Sequence, residues 1–523
     1  MNITVASRRG FLGGLFSAGA LILAGEVTPS LLRVANADAP PTAWKPNVWV
    51  GLNPDGSVII VSHRSEMGTG IRTTLPMIVA DELGADWQHV RVEQALGDEK
   101  MYGSQDTDGS CSIRDFYDTM RNAGATARLM LERAAAAKWN VSAAECKTDN
   151  HEVIHTASGR KIAFGELVAL ASQQPLPAAA DIVLKPASEF RYIGKGVPSV
   201  DMKNIVTGHA TYGFDVQLPG MVYASIERPP VLGGKLRTYD DAETKKVAGV
   251  LETVTIAEAK PPYAFQALGG VAVIAENTWA ASQGRKKLKV DWESGKNAIF
   301  ESEAYKKELI ATATTPQKVV REAGDLDAGL KSAAKVVEAT YYTPLLAHTP
   351  MEPPAAVAEY KDGKVEIWAA TQDPGAVQKT VALALSMKPE DVTCHVTLLG
   401  GGFGRKSKPD YVAEAAILSK RLGKPVKISW TREEDVRFDY YHACSAMHFK
   451  AGLESSGKLS AWLQRTVYPP IGSIFDEKET YGTGELGLGF LDMPFDVANL
   501  RAENGPAPAH VRIGWLRSVA NVY

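Results

Sequence analysis

Gly400-Gly401-Gly402-Phe403-Gly404 follows an apolar run ending in Leu398-Leu399 and precedes a helical pattern. Glycines there let backbone N–H groups approach a ligand closely, and a helix start favours an anion. Two nucleotide fingerprints fail at this turn. Counting from Gly400, Arg405 stands where G-x-G-x-x-G needs its third glycine, and it also separates Gly404 from the Lys406-Ser407 of a would-be P-loop. Upstream, Ala370-Thr371-Gln372-Asp373-Pro374 closes a strand with a polar cluster in which Gln372 can donate and accept. Downstream, Lys427–Asp435 (KISWTREED) ends another strand in charge, and His348 lies just before in AHTPMEP. Near the N-terminus stand two further glycine-bearing polar stretches, Glu66-Met67-Gly68-Thr69-Gly70 and Asp108-Gly109-Ser110-Cys111-Ser112. Taken singly, Gly68 and Gly109 also read as plain turns, Met67 as a core residue and Cys111 as a small buried side chain.

The cysteines exclude one class of chemistry. Cys111, Cys146, Cys394 and Cys444 form no C-x-x-C pair, so this spacing supplies neither a local zinc knuckle nor an iron–sulfur cluster. If this protein handles electrons, the carriers beyond the first must lie in another chain. A formal net charge of −3 gives no positive field for nucleic acid. With 45% hydrophobic and 22% charged residues over 523 positions, the chain is globular, with room for about three domains.

The elements that must position these residues follow from periodicity. Asn47–Val61 alternates around Asn53-Pro54-Asp55-Gly56 and predicts a hairpin. Helical spacing marks Thr74–Leu83 and, more strongly, Ala123–Trp139, with a Pro/Ala-rich connector over Ala171–Ala180. Asn204–Glu293 is β-rich with glycine turns, and Lys296–Thr315 reads as a charged helix crossing between domains. Strands are expected over Lys364–Ala370, Val392–Leu399 and Val426–Trp430, with a helix over Asp410–Leu422. The first residues read as an address: Ser7-Arg8-Arg9-Gly10-Phe11-Leu12 is a twin-arginine pattern, a Gly-rich apolar stretch follows, and Ala35-Asn36-Ala37 is a small-x-small cleavage site. The expected location is the periplasm, peripheral on the inner membrane through partners.

TQDP, LLGGGFGRK and WTREED, in that order, resemble the molybdenum-binding large subunit of the xanthine dehydrogenase and aldehyde oxidase family. Gly208–Glu293 is similar to that family's α/β hammerhead domain through Tyr212, Asp215, Pro219-Gly220-Met221, Tyr223 and Arg228-Pro229. The EMGTG and DGSCS stretches resemble a pterin-binding region that lies late in most members and comes first here. That order resembles the exported branch of isoquinoline 1-oxidoreductase β chains, which includes membrane-associated aldehyde dehydrogenases. The implied fold is mixed α/β and multidomain: a signal peptide at 1–37, a permuted pterin-binding segment at 38–195, the inserted hammerhead at 200–295, and an incomplete cofactor-binding domain at 320–523.

The resemblance also implies site roles. Gln372 would hydrogen-bond an oxygen ligand of molybdenum, and Gly401, Gly402, Phe403 and Gly404 would lie along the metal and pterin. Met67, Gly68 and Thr69, with Gly109, Ser110, Cys111 and Ser112, would bind the pterin and its phosphates, and Arg517 belongs to an arginine loop near the cofactor. The cofactor would be molybdenum–molybdopterin in its cytosine dinucleotide form, with no protein metal ligand, so His348 is expected to be structural. Electrons would leave to [2Fe–2S] clusters in a small partner subunit and on to a cytochrome c subunit. The implied reaction is hydroxylation of an aldehyde or N-heteroaromatic ring, with water as oxygen source and a glutamate as base.

Three departures bear on this. Thr69 replaces the family's usual glutamine, and Ser407 replaces the glutamate of purine-oxidising members, which argues against a purine substrate. The family's catalytic glutamate lies in a GxGEP-like segment after the arginine loop. The nearest match, Gly482-Thr483-Gly484-Glu485-Leu486, lacks the proline and precedes that loop, so no catalytic residue is assigned. The expectation is a C-terminally truncated subunit; the alternative is a non-catalytic relative that lacks the glutamate.

Overall fold

The computed structural model describes residues 21–24 and 48–519. The twin-arginine pattern and the cleavage site at 35–37 lie outside the described residues. The chain forms two compact units: Met1–Leu218 with Trp368–Lys379 and Val392–Leu399, and Pro219–Ile367 with Thr380–Asp391 and Gly400–Tyr523.

The first unit is organised by the helix Cys111–Trp139 packed on the helix Ile71–Leu83. Its buried face runs Ser112, Phe116, Met120, Ala123, Ala127, Met130, Leu131, Ala134, the spacing of an apolar stripe. The long helix therefore starts at Cys111, not at Ala123 as the alanine-rich run suggested. Its first turns are rich in Ser, Asp and Asn, which have weak helix propensity. They are held by burial of Phe116 and Met120, worth about 1.5–3 kcal/mol each. Gly124 lets the helices approach: a Cβ there would lie 2.5 Å from the Val79 carbonyl and 2.7 Å from Glu82 Cβ. Glu82, fully buried, accepts from Arg121 Nε at 2.7 Å and Arg128 Nη1 at 3.2 Å across this contact.

Beside the helices runs a four-stranded sheet in the order Leu21–Ala24, Val48–Leu52, Val58–Ser62, Val90–Gln94, antiparallel except for its last pair. The expected hairpin at 53–56 is its central turn, where Asp55 Oδ1 accepts from Ser57 N at 2.8 Å. Cleavage after Ala37 would remove the edge strand Leu21–Ala24. The strand Val58–Ser62 leads straight into the His63–Gly70 loop, and so into the first candidate site stretch.

In the second unit, Val250–Ile256, Gly270–Ala275, Val222–Glu227, Val426–Ser429 and Ala355–Lys361 lie side by side in that order. The Val222–Glu227/Val426–Ser429 pair is parallel, which joins the β-rich stretch to the later strands in one sheet. A five-stranded sheet, in the order Lys318–Ala323, Asn499–Gly505, Leu459–Val467, Ser445–Leu453, Lys335–Thr343, carries helices Ser302–Ala313 and Leu326–Ser332. Most of this sheet had no counterpart among the expected elements. The stretch Lys296–Thr315 is not one helix: a 3-10 turn at Lys296–Ile299 ends at extended Phe300, and Glu301 then caps Ser302–Ala313. Asp410–Leu422 has the expected bounds and stops at left-handed Gly423. No helix among the described residues is long and apolar enough to cross a membrane.

Candidate functional site

The sequence-derived site residues fall into two groups, one in each unit. In the first unit, Glu66 organises its loop. It is buried, and its Oε1 accepts from Gly68 N at 2.8 Å and Gly70 N at 2.9 Å while Oε2 accepts from Arg72 N at 3.1 Å. These bonds cap the helix Ile71–Leu83, whose left-handed N-cap Gly70 offers no side chain. The N–H groups of Gly68 and Gly70 are thus used internally, although the resemblance offered Gly68 to the pterin and its phosphates. Met67 is half-buried, and Gly68 and Thr69 are exposed. A Cβ on Gly68 would meet nothing within 4 Å, so its φ of +98° is what demands glycine.

The second stretch joins the same framework. Thr107 Oγ1 accepts from Ser65 N at 2.9 Å, and Thr107 N donates to the Gln372 carbonyl at 2.9 Å. Gln372 Nε2 donates back to the Thr107 carbonyl at 2.9 Å. Gln372, 1% exposed, is thereby fixed against the 107–112 loop. The rest of TQDP is helix-start chemistry: Asp373 Oδ1 accepts from Ala376 N at 2.8 Å, and Pro374 opens the helix Pro374–Leu385. Gly109 and Ser110 both have left-handed backbone, with φ of 49° and 55°, and they deliver the chain into Cys111–Trp139. Burial pushes the Cys111 thiol up, which keeps it protonated near neutrality. The strand expected over Val392–Leu399 stops at Val396, and beyond it Leu399 N donates to the Glu66 carbonyl at 2.9 Å, which ties the approach to the Gly-rich turn to this loop.

The second unit begins at Gly400, whose N–H donates to Glu352 Oε2 at 2.9 Å. Phe403 is held at φ 56° and is 40% exposed. A Cβ on Gly404 would collide with the Trp515 carbonyl, so glycine is required there by close approach as well as by its φ of +106°. Arg517 N donates to the Phe403 carbonyl at 2.9 Å, and His348 Nε2 bonds the Trp515 carbonyl at 2.7 Å. These contacts latch the arginine loop onto the Gly-rich turn. His348 is 5% exposed and its Nδ1 lies 2.9 Å from Asp439 Oδ2, a structural arrangement. Burial pushes Asp439 up, but the His348 and Arg405 contacts more than offset it and leave the carboxyl below its usual value.

The cations after the turn do not wait for an anion. Arg405 pairs with Asp410 at 2.9 Å, Lys406 with Glu352 at 2.6 Å, and Lys408 Nζ donates to the Gly404 carbonyl at 2.6 Å. All three are buried. In WTREED, Thr431 and Glu434 form a capping box on Arg432–Arg437, and Trp430 Nε1 donates to Glu414 Oε2 at 3.0 Å. Those motif residues build scaffold. Burial lifts Asp435 to about 6, with Asp439 adding to the effect. The sequence reading missed Glu66, Thr107, Glu352 and Asp439 as positioning residues. Only Glu66 carried a local signal, as an acid placed at a helix start.

Glu485 accepts from Ile471 N at 2.7 Å, next to the cluster in which Ile471 and Leu486 pack with Trp515. Burial raises its carboxyl to about 7. A folded-state value above the unfolded one means that the ionised form costs stability, a cost felt at high pH and released as pH falls through about 7. Glu485→Gln should therefore melt a few degrees above the wild type near pH 8. The gap should close by about pH 5, and a gap independent of pH would show that Glu485 is not the titrating group. Among the described residues, no group of three or more His, Cys, Asp or Glu side chains could hold a metal ion.

Comparison with known proteins bears on both halves. Residues 27–207 and 311–507 match two models, each described as a molybdopterin cofactor-binding domain. The membrane-bound aldehyde dehydrogenase [pyrroloquinoline-quinone] of Gluconacetobacter polyoxogenes is 34% identical over 98% of this chain and 68% of its own. The chain belongs to the xanthine dehydrogenase/aldehyde oxidase family of molybdopterin-binding large subunits. The beta subunit of isoquinoline 1-oxidoreductase from Brevundimonas diminuta is 32% identical over 88% of this family member and 64% of its own length. A nicotinate dehydrogenase subunit of Pseudomonas putida is 27% identical over 97% of this chain but only 43% of its own. The chain thus spans about two thirds of the first two relatives and less than half of the third. Desulfovibrio gigas aldehyde oxidoreductase aligns with a TM-score of 0.51 at 21% identity, over 68% of this chain and 43% of that one, a likeness of fold. The family is one of molybdenum hydroxylase oxidoreductases, and both matched segments of this chain are molybdopterin cofactor-binding domains.

Proposed function

We propose that this family member is the molybdenum subunit of an exported hydroxylase that oxidises an aldehyde or an N-heteroaromatic compound, with water as oxygen source, and passes electrons to a [2Fe–2S] partner subunit. The carrying observation is the similarity, over 88% and 98% of this chain, to proteins named as an isoquinoline 1-oxidoreductase subunit and an aldehyde dehydrogenase.

The residues fit the cofactor. Gly68 and Gly109 face open space, Gly109-Ser110 gives the long helix an uncovered N-terminus, and Phe403 is exposed on a rigid left-handed turn. When bound, the molybdenum cofactor supplies the redox and oxygen-transfer chemistry. The chain's own part is to bind and orient: Gly109–Ser112 would take phosphoryl oxygens, Met67–Thr69 would border the pterin, and Gln372 would offer its amide, oriented by Thr107. Gly401–Gly404 and Arg517 would line the cofactor from a loop that His348 keeps in place. With Glu66 filling the amides of Gly68 and Gly70, the phosphate contacts would concentrate at Gly109–Ser112.

The deciding experiment is cofactor analysis. Protein from a molybdenum-replete host, co-expressed with its maturation factors, should carry molybdenum and release CMP on mild acid hydrolysis, the mark of the cytosine dinucleotide form. Metal-free protein would sink the reading, and a bound quinone in its place would favour the cofactor named for the Gluconacetobacter relative. Loaded protein that turns over neither substrate class would favour the non-catalytic alternative.

Export is a second expected outcome. Changing Arg8 and Arg9 to lysine should leave precursor in the cytoplasm, while the wild type reaches the periplasm cut after Ala37. Equal periplasmic amounts would remove the address reading.

A further inference from the structure

Arg64 is fully buried, yet its Nε and Nη2 have no hydrogen-bond partner. Its Nη1 lies 3.9 Å from the Sγ of Cys111, the first residue of the helix Cys111–Trp139. The ring of Phe116 lies beneath the guanidinium at 4.8 Å. Among the described residues no carboxylate pairs with it. A buried, unpaired guanidinium is costly, and five donors in a fixed fork suit an oxyanion. His63 next to it is pushed well below its usual value by burial and by Arg64, so it brings no competing charge.

At the helix end beside Arg64, one first-turn amide is already spent, Cys111 N donating to the Asp108 carbonyl at 3.1 Å. The helix's N-cap Ser110 makes no side-chain cap, its first turn holds no acid, and Gly109 and Ser110 take successive left-handed conformations. Such an end carries partial positive charge and N–H groups that lack intrahelical partners. Asp108 is the acid nearby, with Oδ1 at 3.7 Å from Cys111 Sγ; it is exposed and therefore screened. By contrast, Arg405, Lys406 and Lys408 each have protein acceptors.

We infer that Arg64 and the N-terminus of the helix Cys111–Trp139 together form a phosphoryl-binding site, with Arg64 as the buried countercharge to the pyrophosphate of the bound cofactor. This rests on the cofactor reading above and names the residue that selects for a charged phosphoryl group over a neutral one. In the cofactor-free protein the site is a stored instability, which makes the inference testable without turnover.

The test compares the full-length wild type with Arg64→Met and Arg64→Lys, prepared from a host unable to make the cofactor. Arg64→Met removes the unpaired charge and keeps the volume, so its melting temperature should rise by about 2–4 °C. Millimolar inorganic pyrophosphate should raise the melting temperature of the wild type, raise that of Arg64→Lys less, and leave Arg64→Met unmoved. From a molybdenum-replete host, Arg64→Met should retain less than about a tenth of the wild-type molybdenum and CMP, since loss of one charged bidentate partner costs roughly tenfold or more. An Arg64→Met protein that melts below the wild type, or fails to fold, would show a structural role and overturn the inference. A pyrophosphate shift equal in all three proteins, or absent from the wild type, would overturn it too. If the wild type holds molybdenum and Arg64→Met holds as much, the inference fails while the cofactor reading stands. If the wild type holds none, the cofactor reading fails on its own account.

Discussion

Replacing Gln372 by alanine is expected to lower kcat/KM of the assembled enzyme on the order of a hundredfold, the usual cost of deleting a preorganised donor from a desolvated site. Gln372 is 1% exposed, and its Nε2 donates to the Thr107 carbonyl at 2.9 Å. An amide nitrogen carries two N–H donors, and the Thr107 bond fixes the plane in which both lie. The backbone bond from Thr107 N to the Gln372 carbonyl survives the substitution, so the 107–112 loop keeps one of its two ties. The lost side-chain bond should cost only about 1 kcal/mol of stability. The measurement is steady-state kinetics normalised to molybdenum content. A variant with full metal and kcat/KM within about twofold of the wild type would remove Gln372 from the site.

Glu414→Ala should produce the largest loss of stability. Arg228 donates to Glu414 through Nε and Nη2, both at 2.7 Å, and to Glu434 through Nη1 at 2.6 Å. Arg285 reaches Glu434 at 2.5 Å, and the Arg228 guanidinium lies 4.1 Å over the Trp430 ring. Both Arg228 and Glu414 are 1% exposed. Removing the bidentate carboxylate leaves the buried Arg228 with only Glu434, which it shares with Arg285, and breaking such a pair costs about 3–5 kcal/mol. Glu414→Gln, which keeps the shape and one acceptor, should lose less. Denaturant unfolding reads this directly, and a loss below about 1 kcal/mol for the alanine variant would mean that water replaces the pair.

The two substitutions differ in how far they could be foreseen. Gln372 stood out because a polar amide closing an apolar strand beside a helix start needs a reason. Arg228 stood out only as part of a motif, and its pairing with Glu414 was not legible, because the two are 186 positions apart and neither carries a mark of its partner. The same holds for Thr107 and Gln372, 265 positions apart. Glu66 was adjacent to the loop it organises, yet the glycines drew the functional reading and the acid was passed over.

Local rules were enough for much of the rest. The turn at Asn53–Gly56, the stop at Gly423 and the bounds of Asp410–Leu422 depend on φ preferences and short-range periodicity, which a sequence carries in full. The order of TQDP, GGGFG and WTREED likewise sufficed to place the chain in its family, together with the molybdopterin-binding character of both matched segments. Tertiary structure alone decided which polar groups are already spent. Glu66 takes the amides of Gly68 and Gly70, carboxylates take Arg405 and Lys406 after Gly404, and Arg64 is left buried with Nε and Nη2 unbonded. The physical reason is that desolvation makes every buried polar group find whichever partner the fold brings within about 3 Å, and that partner is usually remote in sequence.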